Sequence, residues 1–482
     1  MHRTLLTSSF FSASFALFAQ STAVVWSEVI DVGQQGQGYL RPRLALNAED
    51  DPVIIWGRTS PAANFVSVGD GMQFNPAVQV NPVGVEPSVA DWMGSGIAAY
   101  GNTLWSVFKA SPEDVSPCYV VRSDDGGYTW GDTMRVDPYD GLVSRFPSIA
   151  VNANGPVVQY MQFTSGYLEP RQVVTRMTGS QFMAPVQVSA PFSTGDVCDC
   201  CMGQIVADGE KAIALYRNAG SNIRVIWGSS STDEGASFPT GALLDPTDWN
   251  LNACPSSGPA GLIDGDSLRY VWMSGASNGN KVYFGSALTN DLTTASSGLV
   301  HPDQEQGLQQ NFPRIAGRAD TIGVVWQQSY GSQTEVLFSW SVSGFEGLSI
   351  PDTVNSTLQG AQKTPDIAFS NGTFHIVWSD VSAGTVRYRK ATLTDATGIE
   401  VSTSPSTFEA WPVPATDQLT LRMGTLAPHA LRIVDLAGRI ALELSLNSTS
   451  VDISSLDVGL YRLIALGEEA NVLSSIPLVI AR

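Results

Sequence analysis

Val53-Ile54-Ile55-Trp56-Gly57-Arg58 is the first of seven short apolar runs of one shape, and their spacing decides the fold. The others are WSVFKA (Trp105 to Ala110), VVQYMQ (Val157 to Gln162), IALYRN (Ile213 to Asn218), YVWMSG (Tyr270 to Gly275), VVWQQS (Val324 to Ser329) and IVWSDV (Ile376 to Val381). Their aromatic residues Trp56, Phe108, Tyr160, Tyr216, Trp272, Trp326 and Trp378 lie 52, 52, 56, 56, 54 and 52 residues apart. Such a period marks stacked supersecondary units, each able to bury its apolar faces only against a neighbour.

Most copies follow a second apolar segment opened by proline: RPRLAL from Arg41, EPSVAD from Glu86, FPSIAV from Phe146, GPAGLI from Gly258, FPRIAG from Phe312 and TPDIAF from Thr364. The fourth unit has MGQIVA from Met202 instead. Turn residues and short outer strands such as AVQV (Ala77 to Val80) and PVQV (Pro185 to Val188) come after the aromatic. About four strands in about 50 residues is one propeller blade, whose sheet is covered on both faces and so reads as apolar runs. The expected fold is all-β: a seven-bladed β-propeller, with six blades as the fallback, followed by a small C-terminal β-sandwich. The seventh unit stops one strand short after Leu393, and SEVIDV (Ser27 to Val32) looks like an outer strand. The N-terminal segment is therefore expected to complete the last blade, removing two exposed sheet edges.

Composition narrows the function classes. With 43% hydrophobic residues and 12 Trp the chain can fill a large core. A formal charge of −19 excludes a broad phosphate-binding surface, and with it nucleic acid and a basic membrane-binding face. An anionic ligand would need a local arginine cluster. Residues 1–23 read as a secretory signal peptide, with Arg3 as the positive end, an apolar stretch from Leu5 to Ala19, and Ser21-Thr22-Ala23 as a small-residue cleavage site. No other run approaches the ~20 apolar residues of a membrane span.

Two loops share one turn pattern. Ser123-Asp124-Asp125-Gly126-Gly127-Tyr128-Thr129-Trp130 fits the Asp box S-x-D-x-G-x-T-W, and the Ser231, Asp233, Gly235, Phe238 segment fits it with Ser237 before the aromatic. Ser67 to Phe74 is a degenerate copy with Gly69 in the aspartate place. Asp accepts nearby backbone amides, Gly takes a conformation closed to other residues, and the aromatic plugs the turn into the core, so these boxes are structural. On these motifs, the stretch from about Arg41 to Leu393, within a propeller domain expected at 24–400, resembles the sialidase superfamily with its bacterial neuraminidase repeats.

A linker is expected at 401–410, then WPVPATDQLTL (Trp411 to Leu421), LRIVDLAGRI (Leu431 to Ile440) and VDISSLDVGLYRLIAL (Val451 to Leu466). Residues 411–482 thereby resemble the type IX secretion C-terminal sorting domain, departing from it at Val413, where asparagine is usual. The resemblance implies a Bacteroidetes-type exporter and a secreted or outer-surface location.

Chemistry concentrates in GDVCDCCMG, which holds Cys198, Cys200 and Cys201 before the fourth unit, and in Cys254 before the fifth. Entry loops of neighbouring blades meet near the ring axis, so these sulfurs can converge. In an exported protein the first reading is disulfides, with Cys254 joined to one cysteine of the run and Cys118 left over. The other is a copper or zinc site on the four thiolates. CDCC, YRN (Tyr216 to Asn218) and ACPSSGPA (Ala253 to Ala260) together resemble a subgroup of exported sialidase-like propellers.

A working sialidase of the resembled family needs three arginines on a carboxylate, a tyrosine nucleophile paired with a glutamate, and an aspartate acid/base. The candidates are Arg41, Arg145, Arg217 and Arg314, with Tyr216 as the weak nucleophile candidate. Arg41 stands near the place of the family's R-I-P arginine, within Leu40-Arg41-Pro42-Arg43. The sequence thus favours an exported propeller that recognises extracellular carbohydrate or a surface partner, without the full sialidase machinery and without a cofactor. Two alternatives stand beside it: an exo-acting glycoside hydrolase of the exo-alpha-sialidase type, and a copper or redox protein using the cysteines.

Overall fold

The computed structural model of the chain describes residues 21–482 apart from 191, 193–195, 278, 302–308, 358–359, 397–408, 413, 424–427, 436–438, 445–449 and 468–471. The chain divides into a larger unit, Thr22–Thr394, and a smaller one that includes Asp395–Arg482.

In the larger unit the described residues form seven consecutive antiparallel sheets: five are four-stranded meanders running outward in chain order, the third carries a second short outer strand, and the last takes its outer strands from the start of the unit. Their inner strands are Leu40–Leu46, Gly96–Tyr100, Val143–Asn152, Gln204–Asp208, Ala260–Asp264, Gln309–Arg318 and Gln362–Ser370. Each inner strand packs on the next, and the last packs on the first. The apolar residues show why the ring closes. Seven buried clusters each straddle two neighbouring sheets, from Val53, Ile55 and Leu104 between the first pair to Trp56, Val377 and Tyr388 between the seventh and first. Every repeating aromatic sits on its second strand, at most 1% exposed, in the cluster shared with the preceding sheet. A single sheet would leave that large side chain in water, so the ring stabilises each unit only as a whole.

The second inner strand corrects one sequence expectation. Glu86 to Asp91 is not that strand: Pro87 and Ala90 make only isolated bridges, to Ala110 and Met93. Gly96–Tyr100 takes the place, because its Gly96 reaches the register opposite Val107 that the repeat requires.

The last sheet is completed from the other end of the unit. Ser21–Trp26 and Ile30–Asp31 both pair with Thr385–Ala396, so the expected closure by Ser27 to Val32 extends upstream to the expected cleavage site. Residues 1–20, which hold the rest of the expected signal, lie outside the described residues.

Both full turn motifs use identical bonds. Ser123 Oγ donates to Asp125 Oδ1 at 2.8 Å and accepts the Gly127 amide at 3.0 Å, while Asp125 Oδ1 takes the Thr129 amide at 2.9 Å. Ser231, Asp233, Gly235 and Ser237 repeat these contacts. In the degenerate copy Asp70, one residue later, accepts the amides of Met72 and Gln73, and Phe74 plugs against Tyr388. Gly127 has φ +99°, and a Cβ there would lie 2.7 Å from Val53 Cγ1 on the preceding sheet. Gly127→Ala is therefore expected to cost about 1–3 kcal/mol by chemical denaturation, from left-handed strain plus overpacking. Gly131→Ala, whose Cβ meets only Arg122 O at 3.6 Å, should change stability by less than about 0.5 kcal/mol.

The smaller unit is two facing sheets around Leu419, Leu431, Ile433, Leu463 and Leu478. In that unit Asp435 accepts both the Arg439 amide at 2.9 Å and its Nε at 2.7 Å, which ties the two ends of the D-L-x-G-R motif together.

Candidate functional site

The repeat places one residue of every inner strand at the same axial register. Arg43, Gly96, Ser148, Gln204, Ala260, Arg314 and Asp366 pair with Ile55, Val107, Gln159, Leu215, Val271, Val325 and Val377, the residues just before the seven aromatics. All seven border one cavity of about 180 Å³.

Four of the strands reach it through the same local device. Arg41, Phe146, Phe312 and Thr364 precede proline and have φ of +48°, +53°, +49° and +48°, with a register shift in each strand. Proline bars its predecessor from the right-handed helical region, and a bulge re-aims side chains beside a site. The strain sits at the cavity rim, where such outliers concentrate in functional sites.

The cavity is electrostatically lopsided. Among the described residues, Arg41, Arg43 and Arg314 line it together with a single carboxylate, Asp366. Asp366 is already held, pairing with Arg314 Nε at 3.5 Å and accepting the Leu44 amide at 3.0 Å. Arg41 is 5% and Arg43 7% exposed. Arg41 donates to Asp91 O at 3.0 Å and Met202 Sδ at 2.6 Å, and its guanidinium lies 5.5 Å from the Phe312 ring centre. Arg43 donates to Pro42 O at 2.6 Å and Thr364 O at 3.5 Å. Among the described residues neither has a carboxylate within ion-pair distance. Burial, with repulsion from the neighbouring guanidinium groups, pulls Arg41 well below the usual arginine range and Arg43 to about 9, which leaves Arg43 cationic at neutral pH. A buried excess of positive charge calls for an anion.

Two of the arginines expected from sequence, Arg41 and Arg314, meet here; the other two do not. Arg145 pairs with Glu113 at 2.5 Å and covers the rings of Phe146 and Tyr167. Arg217 is fully buried behind the cysteine loop, where it donates to Ser257 O at 3.1 Å and Met273 O at 2.7 Å. Tyr216 is a core aromatic whose hydroxyl donates to Val188 O at 3.2 Å. Sequence reasoning missed Arg43, Ser148, Gln204 and Asp366, although each stands twelve residues before its repeating aromatic, or thirteen in the first unit.

The cysteine loop forms part of the cavity wall through Met202. Cys200 and Cys254 are joined, tying the entry of the fourth sheet to that of the fifth. Cys198 and Cys201 are buried thiols with sulfurs 2.8 Å apart, and Cys198 Sγ lies 3.7 Å from Cys200 Sγ. Cys118 is buried in the second sheet with its thiol pushed up by burial.

The chain matches no curated protein. Solved structures similar to its backbone include a PL25 ulvan lyase bound to -[GlcA(1-4)Rha3S]- (9% identity, TM-score 0.47, 73% of this chain and 93% of that one). A Dyadobacter fermentans protein of unknown function gives 10%, 0.43, 77% and 99%, and a Trypanosoma rangeli sialidase gives 11%, 0.43, 94% and 85%. Among the described residues no helix is long and apolar enough to cross a membrane. Residues 409–476 match the secretion system C-terminal sorting domain, so this end of the chain is a type IX sorting domain and the protein is exported to the cell surface or the medium.

Proposed function

We propose that the exported propeller, freed of its leader at residues 1–23, binds the acidic end of an extracellular saccharide in its axial cavity. One observation carries this reading: Arg41, Arg43 and Arg314 face a common cavity that holds one carboxylate. A guanidinium offers a planar fork that matches a carboxylate in two parallel bonds, so the cluster suits a sugar carboxylate. At about 180 Å³ the cavity is smaller than the ~300–1,000 Å³ of pockets that enclose whole small ligands, which favours one terminal group over an internal stretch of chain. Ser95, Ser148 and Gln204 supply neutral partners for hydroxyls, and the Phe312 ring an apolar wall.

Among the described residues the lining contains no tyrosine and no glutamate, which favours binding over hydrolysis. Calorimetric titration of the full chain with sialic acid, glucuronic acid and their methyl esters is the test. Binding of an acid with loss on esterification supports the reading. Equal affinity for acid and ester, or for neutral sugars, overturns it, and turnover of a fluorogenic sialoside would replace binding by catalysis.

A further inference from the structure

We propose that Cys198 and Cys201 form a dithiol that exchanges with the Cys200–Cys254 disulfide, giving the propeller a thiol–disulfide exchange centre whose outside partner is a small thiol or disulfide. This stands apart from the axial reading and uses none of its arginines.

The local backbone builds the centre. Val197 bridges Asn218, the Cys198 amide donates to Arg217 O at 2.9 Å, and the Cys201 amide turns back to Cys198 O at 3.3 Å. That turn puts the thiols of a C-x-x-C pair on one side of the loop, 2.8 Å apart, inside ordinary sulfur–sulfur contact. The intervening Cys200 is directed to the fifth sheet and Cys254. The Cys198 sulfur therefore lies 2.8 Å from one potential partner and 3.7 Å from another.

Exposure sets the direction of traffic. Cys198 and Cys201 are both 0% exposed, whereas Cys254 is exposed and Cys200 half-buried. A solvent reagent meets the disulfide first, and the inner pair is reached only through it. The environment also separates the two inner thiols. The hydrogen bond between Cys198 and Cys201 and the buried Arg217 charge lower Cys198, while burial raises Cys201. The thiolate is the attacking species in such exchange, so Cys198 is the nucleophile.

The steps balance without an oxidant. Cys198 thiolate attacks Cys200 Sγ, the Cys200–Cys254 bond breaks, and Cys254 leaves as a thiolate that takes up the proton Cys198 gave away. Cys201 then attacks Cys198, releasing Cys200, which takes the proton of Cys201. Two thiols and one disulfide stand on each side, and an exposed Cys254 thiol has been delivered to the surface. There it attacks a small disulfide, releasing one small thiol, and Cys200 then displaces the second, so that the small disulfide is reduced as the Cys200–Cys254 bond re-forms.

The test uses the full chain equilibrated across a series of reduced-to-oxidised glutathione ratios. A native iodoacetamide pulse follows, then unfolding, a second isotopic label and peptide mapping. Part of the series should show Cys198 bonded to Cys201 with Cys200 and Cys254 labelled. Cys118, buried and apart from other sulfurs, stays unlabelled in the pulse while the chain is folded. In Cys198→Ser that bond is absent and Cys254 labelling should slow by about tenfold, since only direct attack by glutathione remains. In Cys254→Ser the Cys198–Cys201 bond should still form, leaving Cys200 labelled. If Cys200–Cys254 is the only bond at every ratio, or Cys200 pairs at random with Cys198 and Cys201, the proposal is overturned.

Discussion

Arg43→Met is expected to weaken binding of an acidic sugar by ten- to a hundredfold in a calorimetric titration while raising the thermal midpoint of the unliganded chain. The two effects have one cause. Arg43 is buried, has no carboxylate partner among the described residues, and is repelled by Arg314. Hydrogen bonds to charged groups contribute about 1.5–3 kcal/mol, and about 1.4 kcal/mol is a factor of ten in affinity. Replacing even a buried ion pair by packed apolar side chains is often neutral or stabilising by roughly 1–4 kcal/mol, and a buried charge without a carboxylate partner bears the desolvation cost without that compensation, so the free protein should gain where the complex loses. Arg41→Met should behave alike, since its fixed contacts are a carbonyl, a sulfur and a ring. Arg314→Met differs in sign: it strips Asp366 of its ion pair and should destabilise the chain as well as weaken binding. If all three changes lower stability equally and leave affinity untouched, the cluster is a structural brace.

These opposed signs show where the sequence was readable and where it was not. The seven aromatics were legible because each meets the same demand, a large side chain wedged against the preceding sheet, and few residues satisfy it. The closure of the ring was legible for a related reason: a sheet one strand short needs a partner, and Ser27 to Val32 has the composition of one. The second inner strand was hidden because Gly96, Ala98 and Ala99 carry little apolar signal, while Pro87 and Val89 imitate the pattern nearby. Arg43 was hidden by being read within Leu40-Arg41-Pro42-Arg43, where Arg41 looked like the arginine of a family motif. Only the register across the bulge shows that Arg43 is the residue sharing its axial place with Arg314 and Asp366.

The cysteines were legible as a class, and an exported chain made a disulfide from Cys254 the natural reading. Which cysteine it takes depends on backbone bonds that spacing does not show. The amides of Cys198 and Cys201 are tied inward, to Arg217 O and Cys198 O, and Cys200 is the one joined to Cys254. Arg217 and Arg145 were ambiguous because a buried arginine and a ligand-binding arginine look alike in sequence. Their partners separate them: backbone carbonyls for one, Glu113 for the other.

Removing the segment before Gly33 is expected to have the largest effect on stability. The lost contacts are specific. Val32 is 5% exposed in the core shared by the seventh and first sheets, and its amide donates to Val386 O at 2.9 Å. Ile30 pairs with Tyr388, and Trp26 packs edge-on against Phe338 with the Arg389 guanidinium 4.7 Å from its ring centre. Ser27 accepts Arg389 Nε through its carbonyl at 2.8 Å and the Lys390 amide through its hydroxyl at 2.9 Å. Burying one large apolar side chain contributes about 1.5–3 kcal/mol, so losing Trp26, Val29, Ile30 and Val32 removes several kcal/mol from a total of about 5–15 kcal/mol. The bared strand Thr385–Ala396 becomes an exposed edge, a template for association. The truncated chain should therefore unfold at a much lower denaturant midpoint and elute partly as oligomers. A synthetic peptide spanning residues 21–33 should restore the monomer and raise the midpoint in a concentration-dependent way, because it binds the folded ring and not the unfolded chain. Beginning the chain at Val24 instead keeps Trp26 and every residue from Ser27 to Val32, and should cost little by comparison. If the chain starting at Gly33 melts like the longer one and the peptide does nothing, the ring is held shut by its inner strands alone.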